Sequence, residues 1–419
     1  MKFSKNSLMK VILISENPET PCFTSSVDER YFASKLDVMR LENDNDIARV
    51  LSENPEWDVI ITQSTKEKSW SQYPTLCGMS QWIRYRWFHF NDYENHGDYV
   101  YETMMSYQMT VTSGITPLFS VFTPLYKSRP EFFFAAYSSL KQQTLNNWEW
   151  VIVDDSPEPL TWVTEYFKQN PDPRVKYFRI APTNGNIGLS KWRACCMTTG
   201  KWLVEFDHDD LFIPDAFLIM TKAISQFCDA GFVYSDNEDI DKEGRHLDKI
   251  YGDSFAYDFG HPYLCDGHYI NECPNLNSAT IRHIVGMPNH VRAWRRDIYF
   301  LIGGHNQMAR IADDYELCVR TFLATQMIRI KYPIYKQRYY DGNSQDSDIN
   351  RSDIQRRVAV IADHYNKMLH ERMMQLVGED TCYEEGMYAS QVAQKCMKIE
   401  DKSIVPFANY LFEMPEHYK

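Results

Sequence analysis

The sequence of 419 residues contains no apolar run of membrane length, no C-x-x-C pair and no excess of positive charge. Each absence excludes a class. The opening segment, MKFSKNSLMKVILISENPET, holds an apolar run too short for a signal-peptide core or a membrane span. No transmembrane segment is expected elsewhere. The formal charge of −13 argues against a broad phosphate-binding surface, and so against nucleic acid or anionic lipid as main partners. The ten cysteines lack the spacing of a secreted disulfide scaffold. Cys195 and Cys196 are adjacent in a predicted helix, and Cys265, His268 and Cys273 have no second ligand pair at zinc spacing. Reduced core thiols and a soluble, cytoplasmic protein are the expectation. Repeats and low-complexity tracts are absent too.

What is present is a chain that can bury a large interior. It is 44% apolar and 14% aromatic, and its length implies two or three structural units. Residues 1–112 read as a small α/β unit (KVILIS strand, DIARVLSEN helix, WDVIIT strand) followed by an aromatic-rich linker. That unit has no Gly-rich phosphate loop, so no nucleotide site is expected in it. From Pro117 the pattern is strand, helix, strand, helix, strand. LFSVFTPLY is followed by a helix opening at Ser128 and Pro130, then WEWVIV, a helix near 160–169, VKYFRI, the loop NGNIG with its helix, and KWLVEF. Continuous apolar strands of this kind imply a mostly parallel sheet flanked by helices, with ligands at the carboxyl ends of the strands. FVYSD with the turn near Lys242–Gly244 reads as a hairpin. The predicted domains are 1–112, 113–345 and a C-terminal helical extension, 346–419, whose long helix begins near Asp353.

Acidic residues mark those strand ends. In VEFDHDD, Asp207 and Asp209 point the same way on an extended chain, and two clustered carboxylates need a cation or proton between them. Hard oxygen ligands suit Mg²⁺ or Mn²⁺ shared with a diphosphate. The plainer alternative, helix capping, places a cap later than these residues, because the next helix starts near Pro214. Asp154 and Asp155 end a strand where a carboxylate can accept from a base or ribose, although a solvated turn with Ser156 and Pro157, taken alone, explains them better. Asn184–Gly188, with Asn186 inside it, permits close backbone approach, and Lys191 and Arg193 on the following helix are candidates for a diphosphate. Asp313 and Asp314 open the helix ADDYELCVRTFL, either as helix-dipole partners or with one of them as a general base. Asp239, Asp241, Glu243 and Gly244 look like a calcium loop only superficially, since Ile250 stands where its bidentate Glu would be.

The ordered set FSVFTPLY, WVIVDDS, NIGLSKWR, FDHDD followed by Pro214, LIGGHN and ADDYELCVR resembles the family 2 glycosyltransferases, inverting enzymes with the GT-A fold, over residues 116 to about 345. The resemblance implies that Asp155 and Asp154 contact the nucleotide. It implies that Asp207 and Asp209 form the D-x-D motif, with Asp209 the direct ligand of Mn²⁺ or Mg²⁺, and that Asp314 is the catalytic base. A nucleotide-sugar donor, a UDP-sugar foremost, and a glycan or glycoconjugate acceptor follow. Three departures stand out. The helix after NIG is shorter than usual, His305 follows Gly303 and Gly304 where the family often has Phe, and Tyr340 stands where some members carry a histidine metal ligand.

Two other readings share this architecture. A sugar nucleotidyltransferase would carry a Gly-rich basic loop after its first strand, and TPLYKSRPE has no glycine. A non-catalytic carbohydrate-binding or scaffold protein would have no need of the acids at 207, 209 and 314.

Overall fold

The structure, a computed structural model, describes residues 9–15, 36–53, 57, 59–63, 73–79, 87–90, 117–179, 186–247, 263–265, 267–270, 272–283, 287–340 and 348–414. The elements begin with β1 (Met9–Ser15), β2 (Leu36–Leu41), α1 (Ile47–Glu53), β3 (Val59–Gln63), α2 (Pro74–Gly78) and β4 (Trp87–Phe90). Then come β5 (Phe119–Leu125), α3 (Pro130–Lys141), β6 (Trp148–Asp154), α4 (Thr161–Gln169), β7 (Val175–Arg179), α5 (Ile187–Cys196) and β8 (Trp202–Glu205). Next are β9 (Leu211–Phe212), α6 (Ala216–Gln226), β10 (Phe232–Ile240), β11 (Tyr263–Cys265), β12 (His268–Ile270), β13 (Arg292–Arg295) and α7 (Arg296–Leu301). The chain closes with α8 (Asp313–Ala324), β14 (Met327–Arg338), α9 (Asp348–Val377), α10 (Ala389–Met397) and β15 (Tyr410–Glu413).

The chain forms two compact units, one of Met1–Lys127, Trp148–Gly185 and Ser190–Lys201, the other of Ser128–Asn147, Asn186–Leu189 and Trp202–Lys419. In the first, β2-β1-β3-β4 is an all-parallel sheet. Val11, Ile12, Leu13 and Ile14 are all buried, as a strand covered on both faces requires. Its core gathers Ile12, Ile14, Ile47, Val50, Trp57, Ile60, Tyr73 and Leu76. Asp44 fastens α2 by accepting from the backbone N–H groups of Thr75 and Leu76, donors that a helix start would otherwise leave unmet. Most of the aromatic stretch 69–112 lies outside the described residues.

The same unit holds the parallel ladder β5-β6-β7. Every residue of β6 is buried, including Glu149 in its middle. A charge there survives only with partners. Lys176 donates to its Oε2 at 2.5 Å, Ser120 and the Thr199 amide donate to Oε1 at 2.5 Å, and the Thr199 hydroxyl reaches Oε2 at 2.9 Å. Burial pushes this carboxyl upward, but Lys176 and the hydrogen bonds outweigh it and hold Glu149 below the usual range.

The second unit carries the strands β15-β14-β10-β13-β8, with β9 on β14. β14 is parallel to β10 and β15, whereas β13 runs antiparallel to both β10 and β8. The α/β architecture with a mostly parallel sheet is therefore found, with β13 and β9 as its antiparallel members. Pro130 opens α3, where its missing N–H costs nothing. The expected hairpin after FVYSD is realised as a short return. Asp241 accepts from the amides of Glu243 and Arg245, and Ile240 bridges His246 antiparallel. The main partners of β10 are β13 and β14.

At the C-terminal end, α9 starts at Asp348, earlier than expected. Arg282 is fully buried and pairs with the equally buried Asp380 at 2.8 Å, which ties the 280–283 segment to the region after α9. The expectation of reduced thiols fails for one pair: Cys382 and Cys396 form a disulfide. Both residues lie in an apolar cluster with Ala279, Val392 and Val405, and a pair 14 residues apart matches no motif spacing in the sequence. Among the described residues, no helix is long and apolar enough to cross a membrane.

Candidate active site

In the first unit, β6 ends at Asp154, whose carboxylate is fully buried. It accepts from the amides of Ser156 (2.9 Å) and Leu160 (3.1 Å), the Tyr177 hydroxyl (2.7 Å) and the Arg179 guanidinium (2.9 Å). Four donors on two oxygens make Asp154 the anchor of the loop after β6. Asp155 is different. Its amide donates to Leu125, and its Oδ2 accepts from Ser190 on α5 at 2.6 Å. Arg193, one turn further along α5, is lowered to about 10 by burial, with the Asp155 charge acting against that shift. Lys191 is buried on the same helix. The structure thus brings Asp155, Ser190 and Arg193 together.

In the second unit, Asn186 sits just before α5 and accepts from the Leu189 amide at 3.0 Å, the geometry of a helix cap. Its side-chain amide donates to the Gln307 carbonyl at 2.5 Å. Gly188 donates to the Ala309 carbonyl, and a Cβ on it would lie 2.1 Å from the Asn306 carbonyl oxygen. The close backbone approach expected of this loop is found at Gly188, where the neighbour is the protein's own 306–309 loop.

The acidic run after β8 divides its labour. Asp210 is buried and takes hydrogen bonds from the Tyr335 hydroxyl (2.8 Å) and the Arg338 amide (2.7 Å). Burial first, then the charges of Asp209 and Asp207, push its carboxyl upward. Asp209 accepts from the Tyr340 hydroxyl at 2.8 Å, so the tyrosine singled out in the sequence is in contact with the second acid of the Asp207–Asp209 pair. Arg129 packs over the Tyr340 ring, 5.1 Å from its centroid. Asp207 is the most open of the three. Its Oδ2 lies 3.5 Å from Nε2 of His290, whose ring stacks on Tyr335. Donor atoms of Glu205, Asp207 and His290 all fall within 4.8 Å of one another.

Strand register explains this cluster. β13 pairs antiparallel with β8 and sets Arg292 opposite Glu205. Continued two residues outward, that register sets His290 opposite Asp207, on the same face by the alternation of strand side chains. Arg292 is 3.6 Å from Glu205 and donates to Oδ2 of Asp314 at 3.1 Å. Burial disfavours its charge, but Asp314 and Glu205 more than compensate and raise its pKa. Asp314 is partly exposed, and its Oδ1 accepts from the Tyr315 amide. Asp313 is buried instead, 3.8 Å from Nε2 of His305. Ala312 precedes the pair at φ +56°, a left-handed conformation costly for a residue with a Cβ.

Sequence reading missed Glu205, His290 and Arg292. The signal for them was faint: VRAW after Pro288 is a short apolar strand, and only its antiparallel pairing reveals which residues it carries to the acids.

Residues 120–277 match the sequence model of Glycosyl transferase family 2. Among curated proteins, the chain is 30% identical over 238 residues to the uncharacterized protein y4gI of Sinorhizobium fredii, covering 55% of this chain and 23% of that protein. It is 24% identical over 262 residues to chondroitin synthase of Escherichia coli, covering 62% of this chain and 33% of the relative. The chain therefore spans only a quarter to a third of the length of these relatives. Among solved structures, S. aureus TarS 1-349 in complex with UDP-GlcNAc superposes with a TM-score of 0.45 at 16% identity, covering 61% of this chain and 72% of that one. The match to glycosyl transferase family 2 thus spans residues 120–277 of the chain.

Proposed function

We propose that the protein is a divalent-ion-dependent, inverting glycosyltransferase that moves a sugar from a nucleotide-sugar donor to a hydroxyl of a glycan or glycoconjugate. One observation carries the reading. In a chain that matches this family over residues 120–277, one strand pairing brings His290 and Arg292 to Asp207 and Glu205, and Arg292 also reaches Asp314. A UDP-sugar is the favoured donor, as the resemblance of the motifs to family 2 glycosyltransferases implies. Residues 113–345 are proposed as the transferase domain, with 1–112 an accessory unit and 346–419 a helical extension.

The donor set fits a hard or borderline divalent ion: two carboxylates and one imidazole, all on one unit. Glu205, Asp207 and His290 would hold the ion, Mn²⁺ ahead of Mg²⁺ because one donor is an imidazole, with Asp209 as the further D-x-D carboxylate once Tyr340 yields. When bound, the ion would offset charge on the leaving diphosphate. Asp155 is proposed to accept from the nucleoside, with Asp154 keeping its loop in place. Lys191 and Arg193 are proposed as cations for the diphosphate, and Asn186 as the residue that positions their helix. Asp314, oriented by Arg292 and its own helix amide, takes the proton from the acceptor hydroxyl as that oxygen attacks the anomeric carbon.

The test is transfer and donor hydrolysis over a panel of nucleotide sugars, with Mn²⁺ and with EDTA. Metal-dependent turnover of one donor supports the reading. Binding of a glycan without turnover of any donor would favour a carbohydrate-binding protein instead.

A further inference from the structure

A second group of metal-competent side chains lies in the second unit and shares no residue with the Asp207 cluster. Glu238 is in β10, His246 is on the short return after it, and His268 opens β12. Nδ1 of His246 is 3.1 Å from Oε1 of Glu238, and the rings of His246 and His268 have centroids 4.3 Å apart with planes 44° from parallel. One donor atom from each residue lies within 4.8 Å of the other two. Glu238 and His246 are nearly buried, whereas His268 is exposed.

We propose that Glu238, His246 and His268 form a transition-metal site, for Zn²⁺ in the first instance, that clamps the β11–β12 hairpin onto the end of β10. Two imidazoles and one carboxylate are a donor set suited to zinc and poorly suited to magnesium or calcium, which prefer oxygen alone. A hydrogen-bonded His246–Glu238 pair needs no third partner. The second imidazole, brought against it from a separate hairpin, is what the metal explains. Tetrahedral zinc with bonds of about 2.0–2.1 Å sets its ligand atoms about 3.4 Å apart, so the present group closes by a shift of little over about 1 Å. His268 can supply that shift. It is exposed, and it follows Gly267 at φ +83°, where nothing lies within 4 Å of a would-be Cβ. Lys336 occupies the other oxygen of Glu238 at 2.7 Å, which leaves Oε1 as the single donor from that carboxylate. Three protein ligands leave a fourth position for water.

The assignment is tested on the full chain, stripped with a chelator and dialysed against Zn²⁺, with bound metal counted by atomic absorption. Co²⁺ in place of Zn²⁺ supplies a visible spectrum that distinguishes tetrahedral from octahedral coordination. His268→Ala, at an exposed position, should melt like the parent without metal, lose one zinc equivalent or bind it at least about tenfold more weakly, and lose the tetrahedral cobalt band. Glu238→Gln should lose the same equivalent. Asp207→Asn should retain it, which separates this site from the acidic cluster whatever the fate of the proposed activity. Unchanged zinc stoichiometry and affinity in both His246→Ala and His268→Ala would overturn the proposal.

Discussion

Nε2 of His290 lies 3.5 Å from Oδ2 of Asp207, although the two residues are far apart in sequence and sit just beyond the ends of two different strands, β13 and β8. The antiparallel pairing of β13 with β8 produces this approach, and the first prediction follows from it. If Asp207 and His290 share an ion, His290→Ala should weaken Mn²⁺-dependent nucleotide binding by about tenfold or more. Calorimetry with UDP, with and without EDTA, measures this. An affinity that ignores both the substitution and the chelator removes the ion from this position.

Asp314 and Asp209 should fail in different ways. Asp314→Asn removes the proposed base and is expected to keep donor affinity while losing about 10²–10⁴-fold in turnover. Asp209→Asn should weaken donor binding as well, with partial recovery at high Mn²⁺. Near-normal transfer by Asp314→Asn would leave that residue a partner of the helix dipole and of Arg292, and Asp313 would become the candidate.

Glu149 predicts a pH dependence of stability. Its folded pKa is lowered, so its contribution is present above the unfolded carboxyl value and is lost as pH falls through the folded value. Glu149→Gln leaves Lys176 buried beside a neutral partner and should cost about 3–5 kcal/mol near neutral pH. Urea unfolding of both proteins should show that gap narrowing in acid. A gap independent of pH would mean that packing, not charge, dominates at this position.

Gly188→Ala tests the close approach of two backbone segments. Its Cβ would meet the Asn306 carbonyl oxygen at 2.1 Å, so the 306–309 loop must shift. A loss of about 1–3 kcal/mol is expected, as for other overpacked sites. A thermal melt equal to the parent's would show that the loop yields freely.

Much of this was legible in the residues. Apolar runs located β5, β6, β7 and β8, and the helix signals at Pro130 and Asp313 fell on true starts. Those features are local, written in periodicity and terminal chemistry. The role of Gly188 was not legible, because a glycine that admits a phosphate and one that admits a carbonyl look alike in sequence. Nor was the meeting of His290 with Asp207, or of His246 with His268, since the pairing and packing of distant segments leave no mark on either one. Asp154 and Asp155 are neighbours of one type, and the packing of Tyr177 and Arg179 against the first, and of Ser190 against the second, distinguishes them.

The bridge between Cys382 and Cys396 closes a 14-residue span and is shut inside an apolar cluster that α10 helps to form. A thiolate in solution can attack only a sulfur it can reach. Reduction of this pair must therefore wait for α10 to lift, and its rate under excess dithiothreitol is a clock for that local opening. Followed by mass as the temperature rises, the clock would show whether the last part of the chain breathes alone or comes apart only with the whole.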